Sequence, residues 1–171
     1  MNTLPENPVG WWMSEKLDGV RCILTEDGTL LSRHGRRFKA PPSFMAGMPK
    51  NIRLDGELWM GRNTFDELVS SIQRRKSDWQ GIRFMVFDLA ALRMPIEQRH
   101  AALERLTLPA WVEVLKHRPC LSQDDLDATE AQVVGMGGEG LCIRPPASFY
   151  TPSCFLKVKR IHAELNRSVL D

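Results

Sequence analysis

Lys16, Asp18, Gly19 and Arg21 fall within eight residues, in the string Ser14-Glu15-Lys16-Leu17-Asp18-Gly19-Val20-Arg21. A lysine amine can form a covalent intermediate, but it is a poor nucleophile while protonated, with an ordinary pKa of roughly 10.4. Nucleophilic lysines therefore need desolvation or a cationic neighbour, and Arg21 is a candidate neighbour. The same string also reads as a β-hairpin, because Asp-Gly is a strong turn signal between strands. Other segments must decide between the two readings.

Four do so. Leu54-Asp55-Gly56-Glu57-Leu58-Trp59 sets two carboxylates around a glycine in an apolar strand pattern. An unpaired acid is costly to bury, so Glu57 is expected to face a cleft. Phe84-Met85-Val86-Phe87-Asp88-Leu89 is a second apolar strand ending in an acid, and Phe87 offers either a flat surface for a base or plain core packing. Gly137-Gly138-Glu139-Gly140 puts an acid on a glycine-rich strand entry, open to a phosphate or its metal. In Phe155-Leu156-Lys157-Val158-Lys159-Arg160 the two lysines share one strand face by the period-two rule. Two ammonium groups there suit a phosphate, although edge strands also carry lysine to discourage pairing.

Short apolar runs bounded by Gly, Pro or Asp predict strands over 11–15, 20–25, 30–33, 52–59, 83–89, 111–117, 140–144 and 154–159. Glu26-Asp27-Gly28-Thr29 reads as a hairpin turn. Helices are predicted after a capping box at Thr64-Phe65-Asp66-Glu67, from Pro95 through Ile96 to Leu106, and from a Ser122 cap to about Gly135. Pro41-Pro42 and Pro145-Pro146 mark loops. No repeat or long linker divides the chain, which reads as one α/β or α+β domain with helices covering the sheets.

The chain has 171 residues, 43% of them hydrophobic, which is ample for a core and argues against disorder. With 23 basic and 21 acidic residues the net charge is +2, so global charge does not announce a nucleic-acid partner. Local clusters do suggest one: Arg33, Arg36, Arg37 and Lys39, then Arg74, Arg75 and Lys76. Cys22, Cys120, Cys142 and Cys154 show no CxxC spacing and no histidine pattern for a metal. Cys22 and Cys142 are expected to be buried structural thiols. No segment approaches the ~18 apolar residues of a membrane span.

In order, these segments resemble the nucleotidyltransferase motifs of the covalent ligase and capping-enzyme superfamily. Lys16, Asp18, Gly19 and Arg21 match its Lys-x-Asp-Gly-x-Arg motif, and Ser32-Arg33-His34-Gly35 the short motif that follows. Asp55-Gly56-Glu57, Phe87-Asp88, Glu139-Gly140 and Lys157-Val158-Lys159 match the remaining ones. The flanking residues are most similar to minimal bacterial and phage ATP-dependent DNA ligases.

That resemblance implies an α+β, ATP-grasp-like nucleotidyltransferase domain over residues 1–160, mainly antiparallel sheets flanked by helices. Residues 161–171 would be a linker or terminal helix, and the family's OB-fold domain is expected to be absent. The chemistry implied is that Lys16 takes AMP from ATP, AMP passes to the 5′-phosphate of a DNA nick, and the 3′-hydroxyl seals it. Lys157 and Lys159 join Lys16 as catalytic residues. Glu15, Arg21, Arg33, Glu57, Phe87 and Glu139, with the same two lysines, bind the nucleotide. Glu139 and Glu57 hold Mg²⁺, while Arg33, Arg36 and Arg37 grip nicked double-stranded DNA. A monomer is expected, with the OB-fold domain in cis or trans for full activity, and a cytoplasmic location, or a periplasmic one after loss of an export signal. An RNA ligase, a GTP-dependent capping enzyme, and a non-catalytic nucleotide- or DNA-binding module are the rival readings.

Overall fold

Trp12–Glu15 (β1) and Val20–Leu24 (β2), the strands on either side of Lys16, belong to different sheets. The hairpin reading of Asp18-Gly19 therefore fails: this link carries the chain from one sheet to the other. Gly19 is needed there, since a Cβ would lie 2.3 Å from the Leu58 carbonyl oxygen. The computed structural model describes residues 5–74, 79–152 and 156–158.

Further along are Leu30–Ser32 (β3), Leu54–Trp59 (β4), Arg83–Leu89 (β5), Val112–Val114 (β6), Arg118–Pro119 (β7), Leu141–Arg144 (β8) and Leu156–Val158 (β9). One sheet has the order β7-β1-β8-β9 and the other β3-β2-β4-β5-β6. Every pairing is antiparallel except β5 with β6. The α+β expectation with mainly antiparallel sheets holds.

The five-stranded sheet buries Cys22, Leu24, Leu54, Leu58, Phe84 and Val86 against Leu68 of Phe65–Gln73 (α2) and Leu103 of Ile96–Leu103 (α3). Phe44, on the single turn Pro42–Met45 (α1), joins them with Trp79. The four-stranded sheet packs Met13, Leu141, Ile143 and Val158 against Leu126 and Val133 of Gln123–Gly135 (α4). Each such side chain contributes about 1.5–3 kcal/mol by leaving water. Two apolar clusters, one per sheet, leave a polar seam between them.

Local differences from expectation have local causes. The predicted strand 111–117 is a strand only over Val112–Val114, beside β5; the chain then crosses to place β7, Arg118–Pro119, beside β1. α3 stops at Leu103 rather than Leu106, because Arg105 and Leu106 bond three residues back, to Ala102 and Leu103, and tighten the chain into a turn. Pro42 starts a helical turn instead of a loop, since its missing N–H costs nothing at the first helical position. The Thr64 hydroxyl donates to Gly61 O at 2.8 Å and caps nothing, whereas Ser122 Oγ accepts from Asp125 N at 3.0 Å as expected. Gly28 (φ +79°) makes the predicted turn. Residues 161–171, read as linker or helix, lie outside the described residues.

Candidate functional site

A cleft of ≈ 350 Å³ takes its walls from both sheets. Glu15, Lys16, Cys142, Arg144 and Lys157 come from the four-stranded side; Arg21, Glu57 and Phe87 come from the five-stranded side. Lys16 sits just past β1, where its backbone N–H donates to Gly140 O at 2.9 Å. Its ammonium makes an ion pair with the Glu139 carboxylate. Gly140 fixes this approach: it adopts φ +122°, and a Cβ there would lie 2.5 Å from Val158 O. On the far side of Lys16, a recess of ≈ 50 Å³ is lined by Asp18, Arg62, Asn63, Gly137 and Glu139 among others. Arg62 grips Glu15 through two 2.8 Å hydrogen bonds, from Nε and Nη2.

Arg21 is set from below. Its Nε donates to Asp55 Oδ1 at 2.5 Å, its Nη2 pairs with Asp55 Oδ2, and its guanidinium lies 4.9 Å from the centre of the Phe87 ring. Asp55 is fully buried, and Arg21 supplies the cation that a buried carboxylate needs. Glu57, opposite Arg21 in the β2–β4 register, faces the cleft as expected. Burial pushes its carboxyl up to about 7, against the pull of Arg21 and Lys16.

Phe87 is 9% exposed and lines the cleft rather than joining the apolar cluster of its sheet. Cys22 is the buried core thiol expected, but Cys142 is not: it is half-buried and forms part of the cleft wall. The four-stranded sheet turns its face at Cys142 toward the seam, where Lys157 is its register partner. Burial raises the Cys142 thiol above its ordinary value, and Lys16 and Lys157 oppose that rise.

Beneath the cleft lies a charged layer that sequence reasoning missed. Asp88 is fully buried and accepts from Arg99 Nε at 2.6 Å, and its other oxygen pairs with Arg144. Arg144 Nη2 lies 2.8 Å from His100 Nε2 and 2.6 Å from His117 Nε2, and both imidazoles therefore act as neutral acceptors there. Burial and then Arg144 depress both: His100 to about 4, and His117 well below its ordinary value.

Of the residues singled out from sequence, Glu15, Lys16, Arg21, Arg33, Glu57, Phe87 and Lys157 line one cleft, and Glu139 reaches it through Lys16. Arg36, Arg37 and Lys39 are exposed and stand outside that lining, although Arg33 links their loop to it. Lys159, Arg75 and Lys76 lie outside the described residues. Arg62, Arg144, His117 and Tyr150 were not found from sequence; all act through partners distant in the chain. Among the described residues no group of three His, Cys, Asp or Glu is placed to hold a metal. No described helix is long and apolar enough to cross a membrane.

Residues 2–159 match the family model for the ATP dependent DNA ligase domain. The chain is 33% identical to a DNA ligase of Haemophilus influenzae over 96% of its own length, and spans 63% of that relative. A solved structure from work on DNA binding with a minimal scaffold by Lig E DNA ligases superposes with a TM-score of 0.81 at 30% identity, covering 90% of this chain and 63% of that one. The Chlorella virus DNA ligase-adenylate shares the fold at a TM-score of 0.71 and 19% identity, over 88% of this chain and 61% of its own. This chain thus spans less than two thirds of the relatives it matches.

Proposed function

The chain belongs to the ATP-dependent DNA ligase domain family, and from that premise we propose that it is the adenylyltransferase core of a DNA nick-sealing enzyme. The observation that carries the reading is Lys16 in the cleft wall, paired with Glu139 and flanked by Arg21, Phe87 and Lys157. The Lys16 nitrogen, once deprotonated, attacks the α-phosphorus of ATP. A P–N bond forms, the α–β bridging P–O bond breaks, and pyrophosphate leaves.

Phosphoryl transfer asks the protein for position and charge neutralisation rather than further covalent chemistry. Lys157 and Lys159 supply positive charge toward the α-phosphate. Phe87 offers its ring to the adenine, and Arg21, Arg33, Glu57 and Glu15 border the ribose and phosphates. AMP then passes to the 5′-phosphate of a nick, exchanging P–N for a phosphoanhydride. The 3′-hydroxyl displaces AMP and closes the phosphodiester.

Glu57 in the cleft wall and Glu139 in the recess on the other side of Lys16 are the hard oxygen donors that would hold a Mg²⁺. Bound there, it would neutralise phosphate charge. Full sealing calls for an OB-fold domain in cis or trans, and the core acts as a monomer on nicked double-stranded DNA. A cytoplasmic site of action agrees with the free thiols Cys22, Cys120 and Cys142.

Intact mass before and after incubation with ATP and Mg²⁺ tests the reading. One AMP gained, lost in Lys16→Ala and not replaced by GMP from GTP, supports it. No gain even with an OB-fold domain supplied in trans refutes it, and a GMP adduct instead points to a capping enzyme.

A further inference from the structure

The strap Pro145–Pro152, which leaves β8 at Arg144, is tied down at four points. Ala147 N–H donates to Glu97 Oε1 at 2.9 Å, and Ser148 O accepts from Arg99 Nη1 at 2.9 Å. Those two contacts bind the strap to α3. The other two converge on the cleft: Tyr150 Oη donates to Asp55 Oδ2 at 2.7 Å, and Pro152 O accepts from Arg21 Nη2 at 3.4 Å. Pro152 is itself part of the cleft wall.

Asp55 is thus the common anchor of Arg21 and Tyr150. One of its oxygens receives Arg21 Nε, and the other receives both Arg21 Nη2 and the phenol. A guanidinium held in a carboxylate fork has its plane fixed, and here that plane lies over Phe87. Removing the phenol would take one donor from a fully buried carboxylate and release the strap from the five-stranded sheet. Pro152 would then be free to leave Arg21.

We propose that Tyr150 is a positioning residue for nucleotide binding: latched to Asp55, it holds the Pro145–Pro152 strap as a wall of the cleft and keeps Arg21 over Phe87. This rests on the adenylyltransferase reading above. Tyr150 touches no reacting atom and acts through Asp55 and Arg21.

Tyr150 is the only tyrosine in the chain, so ultraviolet titration of phenolate reports on it alone. The latch requires the wild-type phenol to ionise well above the ordinary value of about 10, and to fall back toward it in Asp55→Asn. It also requires Tyr150→Phe to raise the ATP KM for adduct formation by roughly tenfold, the size of one charge-assisted hydrogen bond, with the larger part of the loss in KM rather than kcat. The KM measurement stands whether or not Asp55→Asn folds. An ordinary phenol titration in the wild type overturns the latch, as does a Tyr150→Phe chain with a lowered melting temperature and unchanged KM. If the wild-type chain takes up no AMP, the adenylyltransferase reading fails and the titration alone decides the latch. A raised, Asp55-dependent phenol would then support it, and an ordinary one would refute it.

Discussion

Lys16 and Glu139 are joined as an ion pair beside two adjacent strands, Lys16 one residue past β1 and Glu139 two residues before β8. The pair exists because β1 and β8 are antiparallel neighbours, with Glu15 opposite Leu141, and because Gly140 permits their close approach. Arg62 secures Glu15, one residue before Lys16, and lines the same recess as Glu139. Lys16 is therefore held by the strand ladder, by Gly140 and by Glu139. In the reaction proposed above, the Lys16 ammonium would have to give up its proton and leave this ion pair before its nitrogen could attack.

Phe87→Ala should weaken ATP binding by roughly 1–3 kcal/mol, the scale of base–aromatic stacking. Phe87 stands outside the apolar cluster of its sheet, so the loss should fall mainly on binding. Calorimetric titration of ATP checks this. Unchanged affinity with reduced stability would make Phe87 a packing residue.

Charge reversal of Arg36 and Arg37 should lower affinity for nicked DNA and make it less salt-dependent, by about one unit of log–log slope for each phosphate no longer neutralised. Both are exposed, on the loop that also presents Arg33 to the cleft. Adduct formation should persist, because neither residue lines that cleft. An unaltered salt slope would leave the cluster as a solvated face.

Most of the cleft was legible in the sequence because its residues announce themselves locally: a lysine beside Asp-Gly, an acid between glycines, an acid in an apolar strand. The supports were not. Arg62, Tyr150 and Arg144 act through Glu15, Asp55 and Asp88, which are 47, 95 and 56 positions away. Nothing local distinguishes such an arginine from a surface one. The sheet assignment of β1 and β2 was hidden likewise, since an Asp-Gly link reads the same within a sheet and between two. Helix α4 was read well because Ser122 and its acidic first turn are short-range signals.

Glu57 should make the fold less stable as pH rises. Its carboxyl goes from the ordinary 4.5 up to about 7 on folding. The folded state thus binds the proton more tightly, and that stabilisation, present below 4.5, is lost as pH climbs through 7. Glu57→Gln should remove this slope and gain up to roughly 3 kcal/mol at pH 8 relative to wild type. Urea unfolding of both chains at pH 5 and pH 8 measures it. Parallel pH profiles would show that the cleft leaves Glu57 well solvated.

The layer under the cleft should fail in acid, with the opposite sign. His100 and His117 face Arg144, with Arg99 behind it, and Asp88 is the fully buried anion that balances the two guanidiniums. Glu97 is the other acid near His100, and it is occupied by Trp12 and Ala147. Folding lowers His100 from 6.5 to about 4, so the unfolded chain takes up the proton first. Stability present above pH 6.5 is lost as pH falls toward 4. Replacing both histidines with Gln should flatten this limb of the unfolding profile. Asp88→Asn should destabilise at every pH, by about 3–5 kcal/mol, because it strands two buried guanidiniums without their anion. If Asp88→Asn were tolerated, water must reach the layer, and the acid limb should then also be missing from the wild-type profile.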